Sequence, residues 1–229
     1  MQLIFNLEKA IRRKNMRTSD YLGKITPDNA AVLFIDYQTQ LILGCQSATP
    51  QEIKNNTLAL ARIAKIFDLP VVMTTTGGGA KGASGGTFAE LTGEFPDVEQ
   101  IDRQKFLNSM QDPKFNAAVK ATGRQKLIGG GITSDLCVVF PVITAVAEGY
   151  DVYVVADACA SWRKQIGDIA LNRMAQAGAI VTNVQSLCAE LQTNLSEYDP
   201  KRAKANMHKQ MEFYQTFVGP LTLFSSSSS

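Results

Sequence analysis

Residues 126–156 read KLIGGGITSDLCVVFPVITAVAEGYDVYVVA, and this stretch decides the fold. A short apolar segment, KLIG at 126–129, runs into a glycine-rich turn. Helical spacing follows over 135–148, Gly149 comes next, and a β-branched run occupies 151–156. Glycine just past a helix supplies the left-handed residue that ends it. Strand, helix and strand in this order make a right-handed crossover between parallel strands.

Outward from this unit the alternation repeats. AAVLFI at 30–35, PVVMTT at 70–75 and AIVTNV at 179–184 are short and rich in β-branched residues, as strands buried on both faces should be. A weaker strand is expected at 98–101. Helical spacing appears at 50–67, through Ile53, Leu58, Leu60, Ile63, Ala64 and Phe67. It returns at 113–121 and at 165–177, where Ile166, Ile169, Ala170, Met174 and Ala177 precede Gly178. The pattern predicts an α/β class, three-layer, doubly wound fold with a six-stranded parallel sheet and helices on both faces.

Composition narrows the function. With 23 basic against 21 acidic residues among 229, the net charge of +2 gives no electrostatic footprint for nucleic acid or for a membrane surface. Cys45, Cys137, Cys159 and Cys188 show no CxxC spacing and no nearby histidine, so no zinc ligand set and no metal or cofactor is expected. Reduced thiols fit a cytoplasmic protein. No apolar run approaches the roughly 20 residues that span a bilayer. The first twenty residues carry five basic and two acidic side chains without a continuous apolar stretch. An organellar leader and a solvated arm both fit them.

In an open parallel sheet, ligands bind beyond the carboxyl ends of the strands. Asp36 ends the first strand, Lys105 follows the weak third, and Cys137 follows the fourth. The single histidine, His208, lies far downstream, so a base for Cys137 is sought among carboxylates and lysines. Thr133, Ser134 and Asp135 are good helix-capping types just ahead of Cys137. Unpaired amides in a first turn are expected to lower a cysteine pKa from about 8.5 toward 7. Cys45, Cys159 and Cys188 are expected to be small buried hydrophobes.

AVLFIDYQ at 31–38, DRQKFLNS at 102–109, GGGITSDLCV at 129–138 and DVYVVADACAS at 151–161 follow one another in an order that resembles the cysteine hydrolase branch of the isochorismatase-like superfamily. NNTLALARIAKIFDLPVV at 55–72, AVKATGRQKLI at 118–128 and AEGYDVYVVADA at 147–158 look nearest to the YcaC-related hydrolases. The resemblance covers residues 27 to about 195. It implies the strand order 3-2-1-4-5-6 and a catalytic triad falling on Asp36, Lys105 and Cys137. It also implies a cis peptide at Ile132–Thr133 and an oxyanion hole built from the Thr133 and Cys137 backbone amides. The expected activity is hydrolysis of a C–N, amide-type bond in a small-molecule substrate through a thioester. Nicotinamidases of the superfamily hold a metal through an aspartate and histidines after the base; YQTQLILG after Asp36 lacks those ligands. Isochorismatases proper lack the nucleophilic cysteine, which argues against a vinyl ether substrate.

Two further readings stay open. Gly77, Gly79 and Gly82 satisfy GxGxxG after a strand, a dinucleotide fingerprint if a helix opens there and a mobile lid over the site if none does. Phe88, Phe106 and Trp162 are candidate pocket residues. The alternative to an enzyme is a catalytically silent assembly protein. For that reading, and for a homo-oligomer of the enzyme, the tail matters, with Met207, Met211, Tyr214 and Phe217 at helical steps. The expected organisation is an N-terminal extension at 1–26, the hydrolase domain at 27–195, a helical C-terminal arm at 196–224 through which copies associate, and a disordered serine tail at 225–229.

Overall fold

The structure, a computed structural model, describes residues 25–191. Most of the expected extension, the C-terminal arm, the serine tail and His208 lie outside the described residues. Strand β1 (Ala30–Ile35) is buried at all six positions. It is flanked by β2 (Val71–Thr76) and β4 (Lys126–Ile132), both parallel to it. With β3 (Gln100–Arg103), β5 (Asp151–Ala160) and β6 (Ile180–Thr182) the described residues form one sheet in the order β3-β2-β1-β4-β5-β6, parallel at every pairing. The strand order is that implied by the resemblance.

Alternation along β1 divides the core. Ala30, Val32 and Phe34 join one apolar cluster, with Leu60 and Ile63 of α2 (Pro50–Ile66) and Leu187 of α7 (Val184–Leu191). Ala31, Leu33 and Ile35 face the other, with Phe115 of α4 (Pro113–Ala121), Val142 of α5 (Val139–Ala147) and Met174 of α6 (Lys164–Ala177). The two clusters are the two sides of a three-layer molecule.

Local chemistry sets the helix ends. Thr49 and Glu52 form a reciprocal capping box ahead of Pro50, and Asp112 accepts hydrogen bonds from the Lys114 and Phe115 amides ahead of Pro113. Each such cap is worth about 1 kcal/mol. Gly178, at φ 101°, closes α6 in the left-handed region. Two short helices, α1 (Thr39–Gly44) and α3 (Ala89–Glu94), and α7 have no counterpart in the sequence reading. The helix expected at 135–148 is two elements: a π-helical turn, Ser134–Val138, followed by α5.

Candidate active site

Three segments leave the carboxyl ends of β1, β3 and β4 and converge. Asp36 directly follows β1, has no exposed surface, and adopts φ 54°, a left-handed conformation that aspartate tolerates better than most residues. Its Oδ2 accepts from Nη2 of Arg103, and neither side chain of this ion pair is exposed. The Arg103 Nη1 donates to the Phe106 carbonyl at 2.6 Å and the Leu107 carbonyl at 2.9 Å, so one guanidinium pins both the carboxylate and the loop after β3. Cys137, 6 % exposed in the π-helical turn after β4, is the third member.

The cation beside Asp36 is therefore Arg103, and Lys105 is not part of this cluster. In β3 the side chains alternate, placing Ile101 and Arg103 inward, and the chain then bends so that Lys105 is exposed. Arg103 and Lys105 share one parity, so alternation does not separate the two cations of DRQK; the end of β3 at Arg103 does. Ile101, two residues before Arg103, was the available signal that Arg103 lies on the inward face of the strand.

Electrostatics around the cluster are dominated by burial. Loss of water pushes the Asp36 carboxyl up to about 6, against the pull of Arg103 and a hydrogen bond with Cys137, while neighbouring Asp102 adds to the rise. The Asp36 Oδ1 nonetheless has no well-aligned hydrogen bond, so the thiol contact is a loose one. Burial, reinforced by the Asp36 charge, pushes the Cys137 thiol up to about 12, with Arg103 opposing. The lowered thiol pKa expected from a capped helix start is thus reversed. Thr133 makes no side-chain cap, and the Ser134 hydroxyl instead donates 3.1 Å to the Ala160 carbonyl on β5. The resting arrangement is a neutral thiol against a carboxylate paired with a guanidinium.

The Ile132–Thr133 peptide is cis. Thr133 and Ser134 are both buried, so the turn carrying Cys137 is held from β4 onward. Of the aromatic candidates, Phe88 is core rather than pocket: it is 7 % exposed and stands edge-on to Tyr37 at 6.5 Å. Phe106 contributes its carbonyl to Arg103. Trp162 is 39 % exposed, and its ring occupies the space a side chain at residue 44 would need, so Gly44 fits there. The glycine-rich segment after β2 opens no helix; a 3-10 turn at Gly79–Lys81 is followed by bends until α3. That removes the element a dinucleotide fingerprint requires.

A cleft of about 250 Å³ lies between α2, β5 and α6, lined by Asn56, Asp157, Cys159, Lys164 and Asp168 among others. It reaches the nucleophile turn through Ser134, and none of Asp36, Arg103 or Cys137 lines it. Among the described residues, no group of three His, Cys, Asp or Glu side chains is arranged to hold a metal ion, and no helix is long and apolar enough to cross a membrane.

Known proteins share this fold. The family model described as "Isochorismatase domain" matches residues 30–186. The probable hydrolase YcaC of Escherichia coli is 37 % identical over 168 residues, 73 % of this chain and 80 % of that protein. A structure of YcaC from Pseudomonas aeruginosa, holding hexane-2,5-diol and covalent acrylamide, superposes with a TM-score of 0.75 at 36 % identity, covering 85 % of this chain and 95 % of that one. The E. coli YcaC structure, described as an octameric hydrolase of unknown specificity, gives a TM-score of 0.75 at 34 % identity, covering 85 % and 94 %.

Proposed function

We propose, from the premise that this chain belongs to the isochorismatase domain family and shares its hydrolase character, that it is a cysteine hydrolase cleaving an amide-type C–N bond of a small molecule. The observation that carries this reading is Cys137 set against a fully buried Asp36–Arg103 pair. A buried carboxylate with a pKa near 6 is ionised at neutral pH yet basic enough to take a proton, which suits a general base.

In the proposed cycle, Asp36 takes the Cys137 proton as sulfur attacks the substrate carbonyl, so a free thiolate need not accumulate. Arg103 compensates the charge that remains on the cluster. The backbone amides of Thr133 and Cys137 receive the developing oxyanion, worth about 3–4 kcal/mol per donor in well-aligned sites. The protonated Asp36 passes its proton to the leaving nitrogen, the C–N bond breaks, and a thioester remains. A water molecule, deprotonated by Asp36, attacks the thioester; carboxylic acid leaves and the thiol is restored.

Covalent acrylamide in the Pseudomonas relative supports an accessible nucleophile in this family, because acrylamide is an electrophile that captures thiols. We also infer a homo-oligomer. The E. coli relative is octameric, and Leu43, Leu136 and Trp162 stay exposed around the carboxyl edge of the sheet at 66 %, 38 % and 39 %. Light scattering on the full chain tests this.

The decisive experiment is intact-mass analysis of the protein mixed with a panel of small primary and secondary amides. An acyl adduct on Cys137 in the wild type, absent in Cys137→Ala and strongly reduced in Asp36→Asn, is the expected result. Turnover by Cys137→Ala at the wild-type rate would overturn the proposal.

A further inference from the structure

Gln38 grips both ends of the glycine-rich segment after β2. It has no exposed surface. Its Nε2 donates to the Thr76 carbonyl at 3.0 Å and to the Gly85 carbonyl at 2.6 Å, and its Oε1 accepts from the Thr76 amide at 2.8 Å. Around it the backbone adds a bridge between Gln38 and Thr87, a Thr39 N–H to Gly86 carbonyl bond of 3.0 Å and a Gln40 N–H to Ser84 carbonyl bond of 3.2 Å.

The loop itself is folded back tightly. A side chain at residue 82 would collide with the Gly77 carbonyl, and one at residue 85, where φ is +70°, would sit 2.6 Å from the Thr39 hydroxyl. Gly77, Gly78 and Gly79 also have positive φ. Glycine is required for this shape, and glycine also makes the loop costly to order. The amide of Gln38 offsets that cost with three hydrogen bonds whose partners are fixed backbone groups.

The place of the clamp gives it consequence. Gln38 is two residues past Asp36, and the loop begins at the strand end where Thr75 donates to Asp102 at 3.1 Å, next to Arg103. The loop is thus fastened against both flanks of the Asp36–Arg103 pair.

The geometry points to Gln38 as a positioning residue: by tying residues 76 and 85 to the exit of β1, it holds the glycine-rich loop against the Asp36–Arg103–Cys137 cluster and keeps water from it. This inference rests on the hydrolase reading for its effect on reactivity, but not for the clamp itself. Asp36 is faced by Arg103 and Asp102 from the end of β3 and by Cys137 from the π-helical turn, and Gln38 adds no charge to that set.

The test uses the full chain with Gln38→Met, which removes the amide without adding charge, and Gly85→Ala, which pushes the loop from Thr39 while leaving Gln38 intact. Two readouts are taken: the rate of tryptic cleavage after Lys81 within the loop, and the rate of Cys137 alkylation by iodoacetamide as a function of pH. Both variants are expected to be cut at least tenfold faster. Their alkylation midpoint is expected to move from near 6 toward the ordinary carboxylate range, as water reaches Asp36. Unchanged cleavage overturns the clamp. Faster cleavage with an unmoved midpoint reduces Gln38 to a structural residue and overturns the positioning role. A wild-type Cys137 inert at every pH overturns the hydrolase reading and the coupling with it, while the tryptic arm still decides the clamp.

Discussion

Arg103 reaches Asp36 from two strands away. β3 and β1 are separated by β2, so the guanidinium crosses the end of β2 to form an ion pair with no exposed surface on either side chain. Two interstrand spacings amount to about 10 Å, which demands a long side chain. Arginine also supplies what lysine lacks: a planar fork that serves Asp36 through one nitrogen and the carbonyls of Phe106 and Leu107 through another.

Removing one partner of that pair leaves a buried charge uncompensated. Arg103→Met is expected to lose about 3–5 kcal/mol in urea unfolding. Arg103→Lys is expected to recover only part of this, because a single ammonium cannot hold the carboxylate and two carbonyls together. Lys105→Ala is exposed at the bend and should change stability by less than about 0.5 kcal/mol and leave Cys137 reactivity unchanged. A collapse of reactivity in Lys105→Ala with Arg103→Met unaffected would reverse the assignment.

The raised pKa of Asp36 has a definite sign in stability. The folded state holds its proton more tightly than the unfolded chain, whose carboxyl titrates near the ordinary 3.8, so the contribution of Asp36 is fully present below that value. It is lost as pH rises through about 6. The stability of wild type relative to Asp36→Asn should therefore fall between pH 4 and about 6 and level off above, measured by urea unfolding along a pH series. A difference that instead grows over this interval would mean the pairing with Arg103 outweighs desolvation.

Much of this was legible in sequence, and the losses have physical causes. β1 announces itself as an unbroken apolar run buried at all six positions, and α2 by a helical periodicity over 17 residues that buries one face. β3 is faint because only Ile101 and Arg103 of its four residues turn inward, and one of them is charged. α1 and α3 span six residues each, too short for a periodic signal. In sequence Lys105 is the cation expected beside Asp36, whereas the structure sets Arg103 there, because nothing in the composition of DRQK marks the end of β3 at Arg103. The acidity of Cys137 was misjudged because Thr133, Ser134 and Asp135 look like caps, yet burial beside Asp36 decides the thiol's titration. Gln38 carried no sign of its role, since its partners at residues 76 and 85 become neighbours only when the chain folds.

Gly131 shows how tightly the β1–β4 seam supports the site. It pairs with Ile35, the residue before Asp36, and lies six residues before Cys137. A Cβ there would collide with the Ile35 carbonyl and stand 2.7 Å from the Ile35 Cβ. Gly131→Ala must therefore push β4 from β1 where Asp36 and Cys137 meet. The expected cost is about 1–3 kcal/mol of stability, with alkylation of Cys137 slowed more than tenfold in the fraction that remains folded. A stable Gly131→Ala with wild-type reactivity would show that the site tolerates separation of these strands.

Acrylamide offers a test that needs no knowledge of the substrate. All four cysteines are buried, and burial pushes the thiols of Cys45, Cys137 and Cys159 up to about 11, 12 and 12, so intrinsic acidity does not favour Cys137. What distinguishes it is Asp36, a base that can take the proton as the sulfur adds to the alkene carbon, the proton then passing to the carbon next to the carbonyl. Cys137 is expected to be alkylated at least a hundredfold faster than Cys45, Cys159 and Cys188 at pH 7.5, read by peptide mass spectrometry. Asp36→Asn should erase most of that advantage, because an amide cannot accept the proton. Equal rates at all four positions would leave Cys137 as an ordinary core thiol, and the fold would then be better regarded as a scaffold for assembly than as an enzyme.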